Sequence, residues 1–419
     1  MSQHYDALET RSPQAREAAL MAALPAQIAN AQQNSAAFAE ILQGVEAASV
    51  TSRAALAQLP VTRKYELLAR QQAQRATDPF GGFATIGWKG LLRSSGARRV
   101  YQSPGPIYEP EGAATDYWRA GRAMAAAGFE AGDLVHNCFS YHLTPGAWIM
   151  ESGAHAVGCT VIPGGVGNTE QQLAAVADLR PVGYSGTPSF LKILIEKAAE
   201  AGQKLSITKA LVSGEACPPS LRDWFTAQGV NAYQCYATAD VGLIAYETAA
   251  REGLVLDEGV IVEIVRPGTG DPVAEGEVGE VVVTVLNPDY PLIRFGTGDL
   301  SAVLPGRCPT GRTHTRIKGW MGRADQTTKV RGMFVHPGQV DQVLKRFDGL
   351  GRARLVVTGE MANDQMTLKV EAAAAGDALQ ARIAEAVRDV TKLRAEVLLV
   401  QPGTLPNDGK VIEDARSYQ

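Results

Sequence analysis

YPLIRFGTGDL at residues 290–300 and GRADQ at residues 322–326 are the two stretches that decide the fold of this 419-residue chain. The first lies in a region, beginning after Gly253, where strand-like runs alternate with Gly, Pro and Asp turns, and this predicts antiparallel β structure. The second precedes a helix start, two strands, an amphipathic helix and a last strand. That order predicts a compact α+β unit over residues 325–419.

Upstream of these stretches, the sequence indicates a parallel α/β domain. Short β-rich or small-residue runs alternate with helical segments between about residues 100 and 250, which predicts βαβ units around a mostly parallel sheet. Helix-periodic, Ala-rich segments up to Leu59 predict packed helices. We therefore expect an α/β fold with a large N-terminal domain over residues 1–324, built from mostly parallel sheets plus an antiparallel β region, and a small α+β C-terminal domain over residues 325–419.

Composition excludes several classes of protein. Apolar residues make up 45% of the chain and charged residues 20%, which is typical of a globular protein. The net charge of -4 is too close to neutral to favour nucleic-acid binding. Because no apolar run is long enough to span a bilayer and the N-terminus lacks a signal-peptide core, we expect a cytoplasmic protein with no membrane partner. Its five scattered cysteines, none in a C-x-x-C pair, indicate reduced thiols.

The two opening stretches resemble the ribose-binding and hinge motifs of the adenylate-forming superfamily, the acyl-CoA synthetases and their relatives. Within that superfamily the chain is most similar to the phenylacetate-CoA ligase family. The resemblance extends over most of the chain, through PVTRKYELLA, GCTVIPGGVGNTEQQ, TPSFLKIL, LVSGEACP and HPGQVDQVL. Motifs of other enzymes, such as G-x-x-x-x-G-K-[ST], H-E-x-x-H and G-x-S-x-G, do not occur in the sequence.

The resemblance implies an ATP-dependent acid–CoA ligase that uses Mg²⁺. An aryl or small carboxylic acid would react with ATP to give an acyl-AMP, and coenzyme A would then take the acyl group. Two alternatives stay open: a ligase that uses an amine, a hydroxyl or a carrier thiol as acceptor, and a non-catalytic nucleotide- or acyl-binding homologue with a degenerate phosphate loop. A homodimer is the oligomeric state expected from the family.

The ribose and hinge motifs supply three candidate residues. We predict Asp299 at a turn that ends a strand, where its two carboxylate oxygens can accept both hydroxyls of a ribose; an Asp that merely caps a turn is the alternative. The resemblance implies that Arg323 reaches the same nucleotide. It also implies that Asp325 is the hinge about which a mobile C-terminal domain rotates between the two half-reactions.

QCYATADVG, residues 234–242, resembles the family's Y-G-x-[ST]-E element. The resemblance places Tyr236 and Ala237 at the adenine, Ala239 at the acyl pocket and Asp240 at the metal. The acid is Asp where the family usually has Glu, and Ala239 replaces a hydroxyl residue. A carboxylate suits Mg²⁺, which prefers oxygen ligands. The alternative is that Asp240 only begins a helix as its N-cap.

Residues at other predicted strand ends complete the large-domain site, because ligands of α/β folds bind at the carboxyl ends of parallel strands. By resemblance, Ser213, Gly214 and Glu215 line the adenine pocket, although a plain strand-to-helix turn would have a similar sequence. The same resemblance places Tyr141 and the pair Thr187-Pro188 near the acyl pocket. The alternative is that these residues only pack in the core.

The C-terminal domain contributes two candidates by resemblance. Lys410 lies in LPNDGKV, which resembles the superfamily's catalytic lysine motif, and would bridge the acid's carboxylate and the α-phosphate. Gly332 and its neighbours would line the path of CoA after domain rotation. A lysine near a C-terminus is otherwise a solvated surface charge.

The phosphate loop departs most from the family pattern. The family's S-S-G-T-T-G-x-P is replaced by RSSGARRV, in which Ser95 and Gly96 remain but Thr-Thr-Gly is missing. Arg98 or Arg99 is a candidate substitute because guanidinium binds phosphate well. The turn SPGP at residues 103–106 is another candidate, and a shortened surface hairpin is the alternative.

No zinc is expected. Some relatives hold a structural zinc near this chain's CPTGRTH segment, residues 308–314, and of their ligands only Cys308 remains. Thr248, Val255 and Thr310 occupy the other positions, whereas a closed structural site needs four N or S ligands. His314 is then a hydrogen-bonded structural residue.

Overall fold

The structure, a computed structural model, describes residues 4–86, 96–324, 326, 328–359, 363–373, 376–406 and 410–416. The chain folds into two compact units, Met1–Met321 and Gly322–Gln419. The domain border that the sequence predicts after residue 324 stays a prediction. Among the described residues no helix is both long and apolar enough to cross a bilayer.

Helices form the N-terminal part of the first unit, as predicted. Ser12 caps the first helix by accepting a hydrogen bond from the Ala15 amide at 3.1 Å, and Pro13 occupies its first turn. Leu24 and Ile28 are fully buried on this helix, so packing as well as capping stabilises it. The helices are α1 (Pro13–Asn34), α2 (Ala36–Ile41), α3 (Arg53–Ala57) and α4 (Lys64–Gln74).

The predicted βαβ region is confirmed. Five parallel strands run side by side in the order β5-β4-β6-β7-β8, and helices connect them. β4, β6 and β7 are almost fully buried, as expected for parallel strands that are covered on both faces. The elements are α5 (Gly121–Ala126), β4 (Leu134–Asn137), α6 (Gly146–Val157), β5 (Thr160–Pro163), α7 (Thr169–Leu179), β6 (Gly183–Gly186), α8 (Pro188–Glu200), β7 (Lys209–Val212), α9 (Pro219–Ala227) and β8 (Asn231–Thr238).

Strand direction reverses after β8. β8 forms a hairpin with β9 (Gly242–Glu247) in which Thr238 pairs with Gly242, and three further antiparallel strands complete a nine-stranded sheet. The predicted antiparallel region after Gly253 is therefore confirmed. The three further strands are β10 (Leu254–Leu256), β14 (Val303–Leu304) and β15 (Arg316–Ile317).

A second sheet of four strands has the order β1-β13-β12-β11. Every residue of β12 is buried, consistent with its apolar sequence GEVVVTV. β1 pairs in parallel with β13, and the antiparallel register of β12 with β13 shifts between Glu280 and Val282, which marks a β-bulge. The strands are β1 (Thr62–Arg63), β11 (Val260–Val265), β12 (Gly279–Val285) and β13 (Phe295–Ser301), and a separate hairpin is formed by β2 (Ala97–Ser103) and β3 (Ile107–Gly112).

The second unit is the small α+β fold that the sequence predicts. A four-stranded sheet of order β20-β19-β18-β21 packs against two helices around an apolar core that includes Leu355, Leu368 and Ile383. Its elements are β16 (Thr328–Val330), β17 (Met333–Val335), α10 (Pro337–Leu344), β18 (Leu350–Thr358), β19 (Gln365–Ala372), α11 (Asp377–Thr391), β20 (Glu396–Val400) and β21 (Ile412–Asp414).

Candidate active site

Four neighbouring parallel strands end at one edge of the nine-stranded sheet. β4, β6, β7 and β8 lie next to one another in that order, so the residues that follow them share this edge. The sequence-predicted site residues of the first unit occupy these positions: Tyr141 follows β4, Thr187 and Pro188 follow β6, Ser213, Gly214 and Glu215 follow β7, and Ala239 and Asp240 follow β8.

The predicted adenine and ribose residues are in direct contact. The Tyr236 hydroxyl donates to Asp299 Oδ2 at 2.8 Å and also lies 3.1 Å from Thr297 Oγ1. The indole N–H of Trp320 donates to Asp299 Oδ1 at 3.1 Å. Both oxygens of this buried carboxylate therefore accept a hydrogen bond, which orients the carboxylate. Sequence reasoning missed Trp320, which no motif marks.

Asp299 does not end a strand at a turn, and that part of the prediction is wrong. It lies inside β13, where the bulge opposite Glu280–Val282 places extra residues on the β13 side. Gly298, with a φ of +74°, supplies the left-handed conformation that this bulge needs. A bulge re-aims the side chain beside it, so here the backbone irregularity, rather than a turn, presents the carboxylate.

Asp240 lies in the turn between β8 and β9, so the alternative that it begins a helix is wrong. Its side chain is 1% exposed, and Oδ2 accepts a hydrogen bond from Lys64 Nζ at 2.9 Å. The other oxygen, Oδ1, is buried and finds no hydrogen-bond partner among the described residues. An orphaned carboxylate oxygen fits a hard cation, because such oxygens are the ligands that Mg²⁺ prefers.

The described ranges contain no cluster of three or more His, Cys, Asp or Glu side chains that would enclose a metal. Mg²⁺ is commonly bound by one or two carboxylates together with water and substrate phosphates. The donor set at Asp240 fits that mode of binding and not a cage made of protein alone.

A second buried carboxyl lies close to Asp240. Burial, and next the negative charge of Asp240, raise the pKa of Glu109 well above its usual value. The Ser103 amide donates to Glu109 Oε2 at 3.3 Å, and the Ser103 hydroxyl also contacts this carboxyl group. Lys64 opposes the rise in this pKa. Neither Glu109 nor Lys64 was predicted; the only sequence signal was the position of Lys64 within the family-like string PVTRKYELLA.

The residues predicted near the acyl group form a rigid polar cluster after β4. The Tyr141 hydroxyl accepts from Asn137 Nδ2 at 2.8 Å and donates to Glu151 Oε2 at 2.7 Å. Its ring meets Trp148 edge-on, with centroids 5.1 Å apart. Burial, and next the hydrogen bond to Glu151, raise the pKa of Tyr141, so the phenol stays protonated at neutral pH.

The strand ends of β6 and β7 are held locally. Thr187 caps α8 by accepting from the Phe190 amide at 3.4 Å, with Pro188 as the first residue of this helix. Glu215 accepts from the Ser189 hydroxyl at 2.5 Å. The Ser213 hydroxyl donates to the carbonyl of Cys235 at 2.9 Å, which connects the end of β7 to the middle of β8.

In the second unit, the predicted lysine lies next to a strand. Lys410 is exposed and precedes β21, whereas residues 407–409 and the predicted hinge Asp325 lie outside the described residues. Gln326 Oε1 accepts from the Val411 amide at 2.7 Å, so the residue after the hinge position is hydrogen-bonded to the residue after Lys410. Gly332, with a φ of +81°, occupies the two-residue turn between β16 and β17.

The two units match two models of known families. Residues 114–285 match the AMP-binding enzyme model, and residues 332–414 match the AMP-binding enzyme C-terminal domain. Phenylacetate-coenzyme A ligase of Thermus thermophilus is 30% identical over 390 residues, which cover 84% of either chain. The chain belongs to the phenylacetate-coenzyme A ligase family.

Two further comparisons agree with membership of the phenylacetate-coenzyme A ligase family. The ligase of that name from Escherichia coli K12 is 28% identical over 309 residues, covering 69% of this chain and 70% of the relative. A crystal structure of 2-hydroxyisobutyryl-CoA ligase, in complex with 2-HIB-AMP and CoA, superposes with a TM-score of 0.81 at 25% identity, covering 100% of this chain and 93% of the other. The predicted fold class is therefore confirmed.

The phosphate-loop region of this phenylacetate-coenzyme A ligase family member is only partly described. Ser95 lies outside the described residues, and Gly96, with a φ of +100°, immediately precedes β2. Arg98 is exposed, whereas Arg99 donates to Glu111 at 2.6 Å and stacks over the Trp148 ring at 4.0 Å. Since Arg99 is held by these two partners, Arg98 is the better candidate of the two for contact with phosphate.

The segment of this family member that matches the zinc region of some relatives is held by hydrogen bonds. The Cys308 thiol lies 3.4 Å from the Thr248 hydroxyl and 3.1 Å from the Thr310 hydroxyl. Buried His314 accepts the Thr315 amide at 2.8 Å. Burial, and next the charge of Arg16, lower the pKa of His314 to about 3, so its imidazole is neutral at neutral pH. All five cysteines are buried as free thiols within the described ranges.

Proposed function

We propose that this chain activates a small or aryl carboxylic acid with ATP to give an acyl-AMP and then transfers the acyl group to coenzyme A. Membership of the phenylacetate-coenzyme A ligase family supports the acid–CoA ligase activity. The observation that carries the assignment of residues is the 2.8 Å hydrogen bond between Tyr236 and Asp299. It joins the predicted adenine residue, which is half-buried, to the predicted ribose residue, which is buried.

The nucleotide would bind between this pair and the ends of β7 and β8. Asp299 would accept the ribose hydroxyls through charge-assisted hydrogen bonds, exchanging its present donors or sharing them. Tyr236 and Ala237 would contact the adenine from one side, and the segment Ser213–Glu215 from the other. Arg323 remains a nucleotide residue by resemblance alone.

Asp240 would hold Mg²⁺ through its unpartnered buried oxygen, and the bound ion would neutralise triphosphate charge as pyrophosphate leaves. Lys64 holds the other oxygen of this carboxylate and so fixes its direction. The shorter Asp, compared with the usual Glu of the family, is supported at this site by a lysine from α4.

The chemistry consists of two displacements. The substrate carboxylate attacks the α-phosphate, forming the acyl-AMP and releasing pyrophosphate; the CoA thiol then attacks the acyl carbon, forming the thioester and releasing AMP. Positioning and fixed charge supply most of the rate enhancement expected for such steps. Lys410 would stabilise the first transition state, and rotation about Asp325 would bring Gly332 to the thiol. These three roles rest on the family resemblance.

Acid-dependent exchange of pyrophosphate into ATP tests the function. We expect at least one acid of a panel of aryl and small hydroxylated acids to support exchange, and the same acid to give a CoA thioester. If an acid supports exchange but its acyl group is transferred only to an amine, a hydroxyl or a carrier thiol and not to CoA, the protein is a ligase with a different acceptor. AMP binding without exchange for any acid would identify a non-catalytic homologue. Light scattering of the purified protein tests the expected homodimer.

A further inference from the structure

A buried ion pair lies directly beneath the bulge that presents Asp299. Arg63, the last residue of β1, donates through Nη1 to Glu280 Oε2 of β12. The other oxygen of the same carboxylate, Oε1, accepts the Gly298 amide at 3.3 Å. The Glu280 side chain is 4% exposed and that of Arg63 is 18% exposed. Glu280 therefore holds the backbone residue immediately before Asp299.

The pair also packs against the other end of the bulge. A Cβ atom placed on Gly296 would lie 2.8 Å from Glu280 Oε1 and 2.9 Å from Arg63 Nη1, which is too close for any side chain to be accommodated without a shift. Arg63 is paired with Gly296 in the β1–β13 register. The ion pair thus occupies the space that the missing side chain leaves, and it contacts both Gly296 and Gly298.

Thr297, between these glycines, completes the hydrogen bonding of the bulge. Its hydroxyl donates to the Val281 carbonyl at 2.9 Å and accepts the Asp299 amide at 3.1 Å. With Gly298 held by Glu280, the backbone on both sides of the bulge is fixed to β12. The direction of the Asp299 carboxylate is consequently set by a network whose charged end is Arg63.

We propose that Arg63 is a positioning residue for the nucleotide: through Glu280 it fixes the bulge and so aims Asp299 at the ribose hydroxyls. The inference rests on the function proposed above for Asp299. The next residue, Lys64, reaches Asp240 at 2.9 Å. Two consecutive residues at the junction of β1 and α4 therefore support the two carboxylates that we propose for the ribose and for the metal.

The test is the preference of the enzyme for ATP over 2′-deoxy-ATP. In the Arg63→Met variant, the Asp299 carboxylate is no longer held in the direction of the ribose hydroxyls. Because charge-assisted hydrogen bonds depend strongly on direction, we expect the KM for ATP to rise about tenfold. The preference for ATP over 2′-deoxy-ATP should fall by a similar factor, while kcat at saturating ATP and the KM for the acid stay within about twofold.

Four further variants separate positioning from stability. Arg63→Lys keeps the positive charge beside Glu280 and should recover most of the preference for ATP. In Glu280→Gln the preference should fall, and adding Arg63→Met to it should cause little further loss, since both act through one network. Arg70→Met, on the same helix α4, removes an ion pair with Glu40 of 2.8 Å and should leave nucleotide preference unchanged.

The outcomes distinguish this inference from the proposed function. Binding of ATP and 2′-deoxy-ATP is also measured by calorimetry without acid, so the test does not depend on finding the substrate. If wild type binds ATP with a preference that Arg63→Met retains in full, the inference is overturned even though the ligase assignment stands. If Arg63→Met fails to fold, Glu280→Gln decides the question, because a full preference for ATP in that variant overturns the inference. If no acid of the panel supports pyrophosphate exchange by the wild-type protein, the proposed function is overturned instead.

Discussion

Replacing Asp240 by Asn is the sharpest test of the metal assignment. The side chain is 1% exposed, and one of its oxygens is buried without a partner in the described part of the chain. The substitution keeps the shape of the side chain and removes its negative charge. We expect the half-saturating concentration of Mg²⁺ to rise and the rate of adenylate formation at limiting Mg²⁺ to fall.

The magnitude follows from charge and distance. One negative charge about 4 Å from a divalent cation interacts with it by about 8 kcal/mol at an effective dielectric constant of about 20. Since water replaces part of this interaction, we expect about 2–3 kcal/mol, which is roughly a 30- to 150-fold change. Folding should be affected much less. Lys64 is 38% exposed, so its ion pair with Asp240 contributes no more than about 1 kcal/mol to the free energy of unfolding.

The assay is acid-dependent pyrophosphate exchange at saturating ATP across a range of free Mg²⁺ concentrations. Asp240→Glu, which restores the usual acid of the family, should retain Mg²⁺ dependence close to wild type. Asp271→Asn, at an exposed position, is the matched control for loss of one carboxylate. A folded Asp240→Asn variant with wild-type Mg²⁺ dependence would show that this carboxylate does not hold the metal.

Three other predictions concern separate groups. Lys410→Ala should suppress adenylate formation far more than thioester formation from a supplied acyl-AMP; equal losses in both half-reactions would contradict its role. Tyr236→Phe removes the 2.8 Å donor to Asp299 and should weaken ATP binding by about 1 kcal/mol, or about fivefold, in calorimetry; unchanged affinity would separate the pair from the nucleotide. Burial, and next the charge of Asp240, raise the pKa of Glu109 above its usual 4.5, so the folded state favours the protonated acid. Relative to Glu109→Gln, wild type should therefore be most stable below about pH 4.5 and lose stability as the pH rises through the folded-state pKa, and an identical pH dependence of thermal unfolding in the two proteins would refute this.

The sequence predicted the architecture well where local pattern and packing agree. The runs that became β4, β6 and β7 are short and built largely of apolar or small residues because both faces of a parallel sheet are covered, and a helix follows each of them along the chain. The same alternation placed Ser213 after a strand, and the family resemblance placed Thr187 at another strand end, which is where the structure has them.

Contacts between distant residues could not be predicted in this way. Lys64 and Asp240 are separated by 176 residues, and no periodicity connects them. The bulge at Gly298 depends on the register of β12 against β13, which a single strand does not encode, so Asp299 was expected at a turn. The string YPLIRFGTGDL contains the carboxylate that we propose for the ribose, but the backbone that aims it depends on two other strands.

The placement of Asp299 on a different sheet from the parallel strand ends has an evolutionary consequence. β13 belongs to the four-stranded sheet, whereas the loops after β4 and β6, near which the family resemblance places the acyl pocket, belong to the nine-stranded one. Mutations that reshape those loops leave the hydrogen bonds that register β13 against β12 intact. Proteins with this architecture can therefore evolve to accept different acids while the β12–β13 pairing that positions Asp299 stays the same.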